Sequence, residues 1–114
     1  MIASQLLELF EGDSSQYLLV TLNGGQKDNG KRNADYTTVY KAVMAELWQK
    51  HLNGEIIIGI KPEVNDKAKW GCIDVDPSSY KDFSEKKFVD IIKQYKLPLV
   101  PIKSKSGGLH MFLF

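Results

Sequence analysis

The sequence predicts an α/β protein built of α+β layers, with a mixed sheet. Two observations along the 114 residues support this class. Stretches with helical periodicity alternate with short apolar stretches rich in strand formers. Gly, Asn and Pro separate these stretches. We expect a single domain over residues 1–114, with an N-terminal α-β-α-β unit at 1–65 and a β-α-β-β unit at 66–114.

The N-terminal unit is predicted from periodicity and turn residues. In chain order we expect a helix over 2–10, a strand over 17–22, a polar loop over 24–34, a helix over 37–52 and a buried strand over 55–60. Val39, Val43 and Leu47 recur at four-residue spacing in the second helix. Trp48 shares that helical spacing, which predicts a core residue.

The second unit has clearer boundaries. In chain order we expect a polar loop over 61–69, a strand over 70–76, a helix from Ser84 to about Tyr95, and strands over 99–104 and 109–114. Ser84 is a fitting N-cap, and Phe83 and Phe88 occupy the two positions of a hydrophobic staple. Ser106, Gly107 and Gly108 predict a β-hairpin. The apolar ending His110–Phe114 has no stop signal, which indicates a piece of a larger domain.

Composition excludes several classes of protein. Apolar residues make up 43% of the chain and the net charge is +1, values that exclude a disordered tail. The longest apolar runs are far short of about 20 residues, so no membrane span or membrane partner is expected. The lone Cys72 cannot form an internal disulfide, which favours the reducing cytoplasm. A near-zero charge means that any nucleic-acid contact must be local.

Asp74 and Asp76 are the first candidates for chemistry. Alternate residues of a strand project to one face, so both carboxylates point the same way. Carboxylate oxygens at this spacing suit Mg²⁺ or Mn²⁺. An acidic strand end that only faces solvent remains the alternative for this pair taken alone.

The second candidate is the segment from Lys103 to His110. Paired glycines let a backbone approach a ligand closely, and turn amides can form an anion-binding nest. Hydroxyls, an ammonium and an imidazole are donors for phosphate oxygens. The predicted phosphate-binding residues are Ser104, Lys105, Ser106, Gly107 and His110. A polar hairpin with no ligand is the alternative.

Together the two segments resemble the archaeo-eukaryotic primase superfamily. The acidic pair Asp74 and Asp76 resembles its first motif, and Ser104-x-Ser106-Gly107-x-x-His110 resembles its second. Further upstream, Leu9-Phe10-x-Gly12, His51-Leu52-x-Gly54, Ile58-Gly59-Ile60-x-Pro62 and Trp70 are similar to primase-polymerases of TOTE conflict systems and to related viral and CRISPR-associated primases. The resemblance covers nearly the whole chain, least well at 24–36.

This resemblance implies a fold, a reaction and partners. The β-α-β-β unit would be the first part of an RRM-like palm. Asp74 and Asp76 would bind the catalytic divalent metals, and His110 would complete the catalytic set and contact phosphates. The reaction would be template-directed nucleotidyl transfer from an NTP or dNTP to a 3′-hydroxyl in DNA replication. The implied partners are a single-stranded DNA template, the remainder of the catalytic domain and a helicase.

The sequence departs from the family in two respects. A third motif, a further Asp on a later palm strand, has no match here, so we expect the chain to be incomplete and inactive by itself. Members of the family often carry a Cys-rich insertion in the first half, whereas Cys72 is the only cysteine and provides no zinc site.

Other readings of the sequence stay open. Lys27, Lys31, Arg32 and Lys103 are weaker candidates for contacts to template phosphates, and a solvated loop explains the first three equally well. A non-catalytic module that binds single-stranded nucleic acid or a nucleotide is the second reading, and it is motivated by the missing third carboxylate and by a local cluster of lysines, Lys93, Lys96, Lys103 and Lys105. A metal-dependent nuclease is the third reading, because an acidic pair followed by a strand bearing Lys103 and Lys105 loosely resembles restriction-type nucleases.

Overall fold

The computed structural model describes residues 1–26, 32–105 and 107–114. It confirms the predicted combination of helices and strands. The chain divides into two compact units, Met1–Lys69 and Trp70–Phe114. The predicted boundary after residue 65 falls within the turn of a small hairpin in the first unit. Over the described ranges, no helix has the length and apolar character needed to cross a membrane.

The first unit is an antiparallel sheet with two short helices. Its elements are α1 (Ile2–Leu9), β1 (Tyr17–Gln26), β2 (Arg32–Val39), α2 (Ala45–Leu52), β3 (Ile57–Gly59), β4 (Glu63–Val64) and β5 (Lys67–Ala68). The sheet order is β2-β1-β3, and β4 pairs with β5. Phe10 stacks on Trp48 with ring centroids 5.4 Å apart. Trp48 is buried, which confirms its predicted place in the core.

Four expectations for the first unit are wrong. The expected buried strand at 55–60 is reduced to β3, whose three residues are only half-buried. Residues 37–39 belong to β2, where Thr37 pairs with Leu19 and Val39 with Tyr17, so α2 begins only at Ala45. β-branched Thr and Val lose side-chain freedom in a helix and fit a pleated surface, which explains the strand. The expected loop at 24–34 is shortened at both ends by β1 and β2. The expected loop at 61–69 contains the β4–β5 hairpin.

The second unit has the predicted β-α-β-β order. Its elements are β6 (Gly71–Val75), a 3-10 helix (Pro77–Ser79), α3 (Glu85–Gln94), β7 (Val100–Lys103) and β8 (Leu109–Leu113). The sheet order is β6-β8-β7, so β8 lies between the other two strands. Every strand pair in the described parts of both units is antiparallel, and the expected mixed sheet is therefore wrong. The hairpin strand β8, rather than β7, is the neighbour of β6.

Helix α3 forms as its sequence signals predict. The Ser84 hydroxyl accepts a hydrogen bond from the Lys87 backbone N–H at 3.3 Å. The rings of Phe83 and Phe88 lie 5.8 Å apart, as a hydrophobic staple requires. The core of this unit consists of Val75, Ile92, Leu109 and Met111. Ile92 comes from α3 and the other three from one sheet face, so α3 packs on that face and the other face carries the alternate residues.

Asp13 organises the connection between α1 and β1. One of its carboxylate oxygens accepts hydrogen bonds from the Ser15 N–H at 2.9 Å and the Ser15 hydroxyl at 2.6 Å. The other accepts from the Gln16 amide at 2.8 Å. These hydrogen bonds, led by those from the Ser15 and Gln16 side chains, lower the pKa of Asp13 from 3.8 to about 2.

We predict that Asp13 contributes acid sensitivity to folding. Because its pKa is lower in the folded chain, its contribution to the free energy of unfolding is complete above pH 3.8 and is lost as the pH falls through about 2. Asp13→Asn should therefore show a smaller fall in unfolding free energy between pH 4 and pH 2 than the wild type. Denaturant titrations at each pH measure that difference. An NMR titration that places the Asp13 pKa near 3.8 would contradict the prediction.

Candidate functional site

Asp74 and His110 face each other across two neighbouring strands. They are directly opposed in the antiparallel pair β6–β8. Opposed residues of such a pair project to the same face of the sheet. The His110 Nε2 lies 3.5 Å from the Asp74 Oδ1. Their side chains are 42% and 70% exposed, so a ligand in solvent can reach both.

We call this face of the second sheet the site face. It carries Asp74 on β6, His110 and Phe112 on β8, and Val100 and Ile102 on β7. Ile102 is directly opposite His110, and Val100 is opposite Phe112. The other face packs against α3. The site face is therefore the side of the sheet on which the two predicted motifs meet.

Asp76 follows β6 and begins the 3-10 helix. Its backbone is still extended, with φ −91° and ψ 124°. Its Oδ1 accepts hydrogen bonds from the Ser78 N–H at 3.0 Å and the Ser78 hydroxyl at 2.9 Å. Asp followed by Pro is a favoured start for a helical turn, because Asp accepts from the free amides and Pro lacks one. Asp76 thus has a structural role at the position where a metal ligand was predicted.

The hairpin between β7 and β8 is closed by Ser104. Its N–H donates to the Gly108 carbonyl at 2.9 Å, and its buried hydroxyl accepts from the Gly108 N–H at 3.0 Å. The Gly107 N–H donates to the Ser104 carbonyl at 3.1 Å. The amides of Gly107 and Gly108 are thus used within the hairpin. The predicted phosphate contacts at Ser104 and Gly107 would therefore have to compete with these hydrogen bonds within the hairpin.

Gly108 sets the distance between this hairpin and the acidic strand. A Cβ atom at Gly108 would lie 2.1 Å from the Val75 carbonyl oxygen and 2.9 Å from the Pro77 Cδ. No residue with a side chain can approach a carbonyl oxygen so closely. Gly107 has φ +84°, a conformation that glycine adopts without strain. The glycine pair therefore turns the chain and lets it lie directly against the end of β6.

The remaining predicted contacts are separated by the fold. Lys105 is exposed in the hairpin that precedes β8. Lys103 is opposite Leu109 and so lies on the α3 face, with its Nζ 3.9 Å from the Glu85 Oε2. The predicted contacts at Ser106, Lys27 and Lys31 lie outside the described residues. Arg32 begins β2 in the first unit, and its side chain lies outside the described part as well.

The site provides donors for a hard cation but not a complete cage. Among the described residues, no three His, Cys, Asp or Glu side chains are grouped closely enough to hold a metal ion. Mg²⁺ is commonly bound by one or two carboxylates together with substrate phosphates and water. The Asp74 carboxylate, exposed on the site face with Asp76 next along that edge, fits a Mg²⁺ or Mn²⁺ that arrives with a phosphate ligand.

Sequence reasoning missed two aromatic residues that follow His110 along the chain, Phe112 and Phe114. Phe112 contacts His110 edge-on at 6.1 Å, and Trp70 and Phe114 lie 6.0 Å from Phe112. The alternation of His110, Phe112 and Phe114 was the available signal, because alternate strand residues share a face. Cys72 lies on this face opposite Phe112. Burial and the charge of Asp74 raise the pKa of its thiol, which agrees with the absence of a reactive cysteine pattern.

Comparison of this chain with protein-family models, with curated proteins and with solved structures found no match.

We predict that Gly108→Ala destabilises the second unit by about 1–3 kcal/mol, the usual range for overpacking. Its added methyl group would collide with the backbone at Val75. Gly71→Ala is the matched control, since a Cβ at Gly71 meets nothing within 4 Å. Denaturant unfolding of both variants measures the difference. Equal stability of the two variants would contradict the close approach of the hairpin to β6.

Proposed function

We propose that this chain is part of a primase-polymerase catalytic domain, which transfers nucleotides from an NTP or dNTP to a 3′-hydroxyl under the direction of a DNA template. The observation that carries the proposal is the pairing of Asp74 with His110 across β6 and β8, beside a hairpin that lies against the end of β6. Nucleotidyl transfer needs carboxylates for a cation and donors for phosphate oxygens, and the Asp74 carboxylate and the His110 imidazole are neighbours on one sheet face.

In this proposal the side chains have separate roles in binding the cation and the phosphates. Asp74 and Asp76 hold Mg²⁺ or Mn²⁺ together with the triphosphate. The cation neutralises charge on the phosphates and aligns them. His110 donates a hydrogen bond from its imidazole to a phosphate oxygen, and the exposed Lys105 adds positive charge at the same end of the sheet. Ser104 and Gly108 keep the hairpin in place and thereby fix His110 opposite Asp74.

The reaction follows from that arrangement. The 3′-hydroxyl oxygen forms a bond to the α-phosphorus, the bond from the α-phosphorus to the bridging oxygen breaks, and pyrophosphate leaves. The hydroxyl proton passes to solvent. Catalysis would come from positioning and from electrostatic stabilisation of the phosphate charge. A template strand, the rest of the catalytic domain and a helicase are the partners of this activity in DNA replication.

The geometry favours this proposal over a nuclease. The nuclease reading relies on Lys103 and Lys105 beside the two carboxylates, whereas Lys103 lies on the α3 face and pairs with Glu85, which leaves only Lys105 of the two at the hairpin end of the sheet. It also gives no role to His110, the residue nearest to Asp74 across the strands. A non-catalytic binding module differs from a polymerase in one measurable property: its binding of nucleotide would not depend on a divalent cation.

We predict that the chain binds ATP in the presence of Mn²⁺ and that Asp74→Asn weakens this binding at least 10-fold. Loss of the carboxylate charge removes a cation ligand while keeping the shape of the side chain. Asp76→Asn should have a similar effect, because Asn still accepts the hydrogen bonds from Ser78 that begin the 3-10 helix. Calorimetry with and without Mn²⁺ measures the affinities.

Asp66→Asn is the matched control. Asp66 is an exposed turn residue of the first unit with φ +62°, which Asn tolerates, so the same charge is removed away from the site. We expect its affinity for ATP to equal that of the wild type. An affinity for ATP that is independent of Mn²⁺, or that is unchanged in Asp74→Asn, would contradict the polymerase proposal. Independence of Mn²⁺ would favour the binding module.

A further inference from the structure

The site face changes in character along its strands. At the hairpin end it carries the polar or charged Asp74 and His110, and the exposed Lys105 lies in the adjoining hairpin. Farther from the hairpin it carries Val100, Phe112 and Phe114, which are uncharged and apolar. Ile102, beside His110, belongs to the apolar part as well. The face therefore has one end suited to an anion with its cation and another suited to a flat, uncharged group.

The apolar part remains accessible although its members are large hydrophobic residues. Val100, Ile102 and Phe114 are 48%, 47% and 45% exposed. Isolated exposed apolar residues are ordinary on a protein surface. Here, however, they form one strip with the half-buried Phe112, because β7 and β8 place Val100 opposite Phe112 and Ile102 opposite His110. We call Val100, Ile102, Phe112 and Phe114 the apolar strip.

The ring of Phe112 is held by its neighbours. It lies nearly parallel to Phe114, at 17° with centroids 6.0 Å apart. The imidazole of His110 meets it edge-on, at 90° and 6.1 Å. A ring fixed in this way loses little side-chain freedom when a ligand binds. The same contact ties the apolar strip to the residue proposed to hold phosphate.

The spacing of the two ends matches the shape of a nucleotide. His110 and Phe112 are two positions apart on β8, a distance of about 6.8 Å along an extended strand. In a nucleotide, the ribose separates the base from the α-phosphate by a comparable span. Charge is complementary as well, because the phosphates would meet Lys105, His110 and the cation, while the uncharged base would meet uncharged side chains.

We propose that the apolar strip is the base-binding part of the nucleotide site, with the nucleobase lying on Phe112 and its neighbours Val100 and Ile102. This inference rests on the proposed function, since it assumes phosphates at Asp74 and His110. Stacking on apolar and aromatic surfaces is tolerant of base identity. The strip would therefore support all four bases and leave their selection to the template.

The experiment compares ATP with inorganic tripolyphosphate, which has the phosphates but no base. Affinities of both for the 114-residue chain are measured by calorimetry in Mn²⁺. We expect the wild type to bind ATP about 10-fold more tightly than tripolyphosphate, as base stacking predicts. Phe112→Leu keeps an apolar side chain but removes the aromatic ring, and Ile102→Gln removes apolar surface at a half-exposed position. Each should reduce the ratio of the two affinities towards 1.

Phe88→Leu is the control for loss of a phenylalanine elsewhere. Phe88 packs against the core from α3, so its replacement should leave the ratio unchanged even if it lowers stability. Circular dichroism verifies that each variant is folded at the temperature of the titration. Equal affinities for ATP and tripolyphosphate in the wild type, or an unchanged ratio in both strip variants, would overturn this inference alone. Failure of both ligands to bind would overturn the proposed function and this inference with it.

Discussion

Because Gly108 has no side chain, the hairpin between β7 and β8 lies directly against the Val75 carbonyl at the end of β6. This close approach fixes the position at which β8 enters the sheet. From there the register runs Val75 to Leu109 and Asp74 to His110. Shifting the register by one residue would turn every side chain of β8 to the opposite face. His110 would then point toward α3, and Leu109 would leave the core. The packing of the unit and the geometry of its candidate site thus depend on the same contact.

The core and the site face are two consequences of one alternation along β8. Leu109 and Met111 are buried with Val75 and Ile92, and the intervening His110 lies on the other face. Burial of the large apolar side chains provides most of the energy that holds the sheet to α3. The residues between them therefore lie on the opposite face of a sheet that the core and α3 hold in place. Such a surface positions catalytic or binding groups more accurately than a loop does.

The sequence predicted the second unit well because its signals are local. Ser84 caps α3 and Phe83 packs on Phe88. The alternation along 70–76 places Asp74 on the sheet face opposite to that of the core residue Val75. The first unit was predicted less well. Thr37 and Val39 are compatible both with the helical period of the residues that follow them and with a strand. Only their pairing with β1, which is distant in the sequence, decides for the strand. In the site, strand parity predicted the common direction of Asp74 and Asp76, but the opposition of Asp74 and His110 depends on β8 rather than β7 pairing with β6, which no local signal indicates. The use of the Gly107 and Gly108 amides within the hairpin was not predicted either, because it depends on how Ser104 folds back on the turn.

The central claim is that Asp74 and His110 form one site for a cation and a phosphate ligand. Paramagnetic broadening by Mn²⁺–ATP, followed residue by residue in NMR spectra, tests this claim most directly. The account predicts that resonances of Asp74, Gly108 and His110 broaden first, while those of Ile92, on the α3 side of the sheet, broaden less. Broadening centred on any other surface, or none at ATP concentrations that fully occupy a nucleotide site, would contradict it.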